Sequence, residues 1–139
     1  VVHAFNANLE GWLVVLPRRH IEALDELTFD EAAALGGLLR ALTAALRDVT
    51  GCAKTYVLLL AEMEGFHHLH VHVVPRDRDL DPALRGARIF GLLGNPDLSI
   101  VPPERMDEIA LEVRAHLVAA GAVDLGDGGR PQVATQPAT

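Results

Sequence analysis

Four of the chain's seven histidines fall in the stretch HHLHVHVVPR, residues 67–76. Three of them, His68, His70 and His72, alternate with Leu69, Val71 and Val73. On an extended chain, alternate residues share a face and stand roughly 6.6 Å apart, so the pattern puts imidazoles on one face and aliphatics on the other. An amphipathic strand explains the aliphatic face, but its polar face is more often Thr, Lys or Glu than a run of histidine. A metal site explains imidazole, but three in a row span roughly 13 Å of strand, and zinc ligands must all stand about 2 Å from one ion. A fourth ligand would come from His67, His20, His3 or Glu62. Catalysis on phosphorus explains the repetition. A neutral imidazole is a nucleophile near pH 7, and its neighbours can hold anionic oxygens or move a proton.

The rest of the chain has to position this row. VVHAF, at the start, reads as a short strand ended by the polar Asn6-Ala7-Asn8 turn. Trp12 to Leu16 reads as a buried strand stopped by Pro17. Thr28 followed by Glu31 is a capping box, and Leu35, Leu38, Leu39, Leu42 and Leu46 continue from it as one helical stripe, with Gly51 as the stop. Gly36 and Gly37 inside it either weaken the helix or admit a close neighbour. TYVLLLAE and HHLHVHVVP are two β-rich runs joined by the short loop MEGF, which favours an antiparallel pair, the second stopping at Pro75. Residues 76–101 read as irregular. PPERMDEIALEVRAHLVAAG is an amphipathic helix, with Pro103 in its first turn and Gly121 at its end. The order is that of an α+β fold, with an antiparallel sheet, one long helix and a C-terminal helix. A single domain over 1–125 and a disordered tail over 126–139 are expected from length and composition.

The 139 residues carry a net charge of −7, which argues against a nucleic-acid polymer as partner but not against one small nucleotide. No apolar run is long enough to span a bilayer, so no membrane partner is expected. Neither a secretory signal nor a disulfide within the segment is expected, since Cys52 is the single cysteine, and a cytoplasmic location is the default.

HLHVHVV fits His-φ-His-φ-His-φ-φ, with φ apolar, and GWLVVLPRRHIEALDEL resembles a Gly-His-φ-φ-φ-φ-Pro-Lys/Arg-x-His segment. Both are motifs of the histidine triad (HIT) superfamily, and the resemblance covers about residues 1–76. It implies a HIT-like fold, a homodimer and a nucleotide hydrolase or transferase that needs no metal or other cofactor. It also implies roles. His70 would attack the α-phosphate of a nucleotide conjugate, with a purine nucleotide expected, to give a nucleotidyl-histidine that water hydrolyses to the monophosphate. His72 would bind phosphate oxygens. His68 would orient His70 through its backbone carbonyl and join a proton relay. Asn6 would meet the ribose hydroxyls. Dinucleoside polyphosphates, nucleoside phosphoramidates and adenylated lysines all remain open as substrates.

The chain departs from the pattern in three places. Gly11-Trp12 replaces Gly-His, so the usual fourth relay histidine is absent. Met63-Glu64-Gly65-Phe66 replaces the Gly-Gln-Ser/Thr before the triad, and Glu62 stands where others have Asn or Gln. Trp12 is therefore a nucleotide-site candidate that caps the pocket, or else a core filler. His20 is expected to be structural, His67 to face away from the row, and His3 and His116 to have no role. A nucleotide-binding protein with little turnover, and a histidine-rich metal-binding protein, are the competing functions.

Overall fold

The computed structural model describes residues 1–122; the expected tail and the last residues of the expected domain lie outside them. Four strands form one antiparallel sheet: β1 (Val2–His3), β2 (Leu13–Val15), β3 (Lys54–Leu59) and β4 (Val71–Arg76), in the order β1-β2-β4-β3. The expected pairing of the last two runs is present, with Tyr56 opposite Val74 and Leu58 opposite His72. Among the described residues, two α-helices accompany the sheet, α1 (Phe29–Thr50) and α2 (Pro103–Ala119). The architecture is α+β, with one antiparallel sheet.

The start of α1 is fixed as the sequence requires. The Thr28 side chain accepts from the Glu31 N–H, and the Glu31 carboxylate accepts from the Thr28 N–H. Gly51 ends it in the left-handed region. The stripe divides along its length. Leu42 and Leu46 are wholly buried with Ile109, Val113 and Leu117 of α2 against Leu13, Val15, Val71 and Val73. Leu35 and Leu38 are only partly covered and line an apolar groove of about 300 Å³ beside Val15, Leu69 and Val71. Gly36 and Gly37 admit no neighbour, because a Cβ at either would meet nothing within 4 Å.

Strand β4 differs from expectation in three ways. It begins at Val71, so only His72 of the three histidines lies in the ladder. Its neighbours run out first: β2 pairs no further than Val15 and β3 no further than Leu59. The strand also passes through Pro75 and ends at Arg76. Pro75 pairs with Thr55 of β3 but lies beyond the last residue bonded to β2, so its missing N–H leaves no gap on the β2 side. Finally, β4 is buried on both faces. Residues 76–101, read as irregular, contain 3₁₀ turns over Pro82–Leu84 and Gly86–Leu92. These lay Ile89 and Leu92 over Trp12 and Val74 and form a second, smaller apolar cluster. Asn8 fixes the far end of this cover, donating to the carbonyls of Asn95, Leu98 and Ser99 and accepting from the Asn95 N–H. Among the described residues, no helix is long and apolar enough to cross a membrane.

Candidate active site

Residues 68–70 lie outside the ladder, and their backbone groups find other partners. The Leu69 N–H donates to the Ile21 carbonyl at 2.7 Å. The His68 carbonyl accepts from His70 Nδ1 at 2.8 Å. A carbonyl only accepts, so Nδ1 of His70 carries the proton and a neutral ring keeps its lone pair on Nε2. The contact expected between these two residues is therefore present. It exists because the His68 carbonyl is not used in strand pairing.

The same deduction fixes His68. Its Nε2 is 3.0 Å from the Pro17 carbonyl and must donate. Its Nδ1 is 3.1 Å from Nδ1 of His20. In neutral His68 that atom accepts, so His20 donates from Nδ1. The other nitrogen of His20 faces the Glu22 carboxylate at 3.5 Å. A histidine expected to be structural thus joins the row by side chain, and Glu22 stands behind it. The single signal for this in the sequence was the Pro-x-x-His spacing. The Ile21–Leu69 bond that brings residues 20 and 68 together is not visible there.

At the other end, His72 is 7 % exposed and its ring packs edge-on against His70, with centroids 4.8 Å apart. Its Nδ1 accepts the indole N–H of Trp12 at 3.0 Å. Phe90 closes the group, edge-on to both His72 and Trp12. Burial, and secondarily the neighbouring His70, push the His72 imidazole down to about 4. Trp12 has no exposed surface, so no face of its indole is open to a base. The residue expected at the nucleotide site is in contact with His72 through its one N–H.

Trp12 is held in place from behind. Gly11 turns with φ +77°, where a side chain would be strained and its Cβ would lie 3.1 Å from Thr50 and 3.3 Å from Pro75. The Gly11 N–H donates to Nε2 of His3, a half-buried imidazole that fixes this turn, and the Trp12 carbonyl accepts from the Ala4 N–H. His3, set aside on sequence grounds, is a structural residue of the site. Asn6 is half-buried and lies against Gly94, which donates its N–H to the Asn6 carbonyl. Its contacts are with this cover rather than with the histidines. Glu62, Glu64 and His67 are exposed, Cys52 is buried, and His116 faces Asp48 at 3.7 Å on the far helices. Among the described residues, no three potential metal ligands converge.

A family model described as the HIT domain matches residues 1–79. The chain belongs to the HIT family. The superfamily includes nucleotide-binding proteins and nucleotide hydrolases. No curated protein sequence matches the chain. Among solved structures, a HIT protein from Sinorhizobium meliloti is similar at 27 % identity and a TM-score of 0.66, over 81 % of this chain and 78 % of that one. A histidine triad protein from Marinobacter aquaeolei gives 23 %, 0.65, 82 % and 79 % in the same order. A Zn-bound HIT family protein from Mycobacterium smegmatis gives 17 %, 0.56, 87 % and 79 % and shares the fold. The match ends at residue 79, before Phe90, whose ring packs on His72.

Proposed function

We propose that the chain is a nucleotide hydrolase or transferase that works through a nucleotidyl-His70 intermediate. The observation that carries this reading is the His70 Nδ1–H bond to the His68 carbonyl, which leaves Nε2 as the free lone pair. Nε2 attacks the α-phosphorus and an N–P bond forms. The bond to the leaving group breaks, and that group departs with the electron pair and takes a proton at the open, His20–His68 side. The positive charge gained by His70 is stabilised by the carbonyl on Nδ1. His72 donates from Nε2 to a phosphate oxygen. Water then attacks phosphorus and gives up a proton to the His20–His68 side, which replaces the one taken by the leaving group; the N–P bond breaks, and His70 regains its lone pair as the monophosphate leaves. Asn6 is the residue proposed for the ribose hydroxyls, and a purine nucleotide conjugate is the proposed partner. A homodimer and a single domain extending to about residue 125 complete the reading; the half-covered Leu35 and Leu38 support the dimer.

The test is to incubate the protein with α-labelled dinucleoside polyphosphate, nucleoside phosphoramidate and adenylated lysine, quench in alkali, and look for label on His70. Label there, with monophosphate released, is the expected result. Nucleotide bound but never transferred would instead favour a binding protein with little turnover. Trp12 in place of histidine and the Met63–Phe66 loop without Gln, Ser or Thr are the features that motivate that alternative. For metal binding, a Zn-bound relative is a precedent in fold. Here both nitrogens of His68 are taken by Pro17 and His20, and Nδ1 of His70 and of His72 are taken as well. EDTA is expected to leave hydrolysis of a metal-free substrate unchanged, and loss of activity restored by zinc would favour the metal reading.

A further inference from the structure

We propose that Trp12 is a positioning residue that locks His72 in a single tautomer, with the proton on Nε2, so that His72 can only donate toward the substrate. This rests on the reading of the triad given above for what His72 donates to; the tautomer itself does not.

The indole N–H is a donor and nothing else. It meets Nδ1 of His72 at 3.0 Å between two buried side chains. Nδ1 must therefore be the unprotonated nitrogen, and neutral His72 then carries its one proton on Nε2. A second proton on Nδ1 would set N–H against N–H where no water can take up the displaced bond. Rotation is blocked as well. The His72 ring is packed edge-on by Phe90 at 4.9 Å, by His70 at 4.8 Å and by Trp12 at 5.9 Å. The titratable group facing His72 is His70, and the other two rings packed on it, Trp12 and Phe90, carry no charge.

A histidine at position 12, as in the Gly-His motif, could either give or take a proton, so that end of the row could pass protons through. Tryptophan can only give a hydrogen bond. The exchange is from a relay to a lock. It has a use beside a nucleophile. A cationic His72 next to His70 would draw down the basicity of the attacking ring, whereas a neutral donor binds phosphate oxygen without doing so.

Nitrogen-15 correlation spectra of the imidazoles read the tautomer directly, with or without turnover. At neutral pH, native His72 is expected to show a protonated Nε2 and a bare Nδ1, unchanged down to about pH 5. In Trp12→Phe, which keeps a ring but loses the donor, both tautomers are expected, with His72 titrating at higher pH. Trp12→His restores a donor and is expected to recover part of the native tautomer. On any conjugate that is turned over, Trp12→Phe is expected to lower kcat/KM by about tenfold and to add an acid limb that native protein lacks. A native His72 protonated at Nδ1, or a tautomer unchanged in Trp12→Phe, would overturn the proposal. The first of these needs no variant to fold. Failure to trap label on His70, with the tautomer as expected, would count against the nucleotidyl-histidine reading and leave the lock standing.

Discussion

At the His68 end of the row the rings are wet: the His20 side chain is 69 % exposed, a carboxylate stands beside it, and the nearest backbone partners are carbonyls. At the His72 end they are dry. An indole, a phenyl ring and the imidazole pack edge to face, and the one polar contact is the indole N–H. Three identical side chains at alternate positions thus occupy unlike surroundings. Solvent and Glu22 can supply or remove a proton at one end, whereas the other keeps one protonation state across the neutral range. His70, between them, meets His68 through a carbonyl and His72 through its ring edge.

The contrast can be broken most severely at its centre. His70→Gly is expected to lower turnover by roughly a thousandfold or more while leaving nucleotide binding measurable by calorimetry, because the proposed function spreads binding over ribose and phosphate contacts. A variant with most of its activity left would mean that neither end acts through His70.

The dry end is sharpened by acid. An imidazole pushed down to about 4 in the folded chain, against an ordinary value of about 6.5 unfolded, leaves the unfolded state with more bound protons between those limits. The stability it contributes is complete above about pH 6.5 and is lost as pH falls toward about 4. Burial of His3 acts in the same direction. Urea unfolding midpoints at pH 7, 5.5 and 4.5 should therefore fall, and should fall less steeply in His72→Gln. Equal slopes in the two proteins would show that His72 is not the dry group the geometry describes.

The smallest effect belongs to the wet end. His20→Asn keeps a donor near His68 but cannot take up a proton. It is expected to lower kcat by about threefold to tenfold with nucleotide affinity unchanged. An equal fall in affinity would assign His20 to binding rather than to proton movement.

What could be read from the sequence follows the range of the interaction. The Thr28–Glu31 box and the Gly51 stop are local and appeared where expected. So did the alternation that buries Val71 and Val73 against the helices. The strand limits did not, because they depend on where the neighbouring strands end and not on the residues of β4 itself. The second face of the sheet was missed for a similar reason. Its cover is built from short 3₁₀ turns among glycines and prolines, with no period to detect. His20 reached the site only through pairing across 48 residues. Trp12 was weighed as pocket wall against core filler. It is buried like a core residue and spends its one donor on the triad.

The cover over His72 is encoded after the triad, not with it. A ribosome adding about 5–20 residues per second makes Phe90 roughly one to four seconds after His72. For that interval the nascent chain holds all three histidines, yet Trp12 and His72 have no Ile89, Phe90 or Leu92 above them. Order of synthesis therefore separates two events that the finished fold merges: acquiring the row of histidines, and making its members differ.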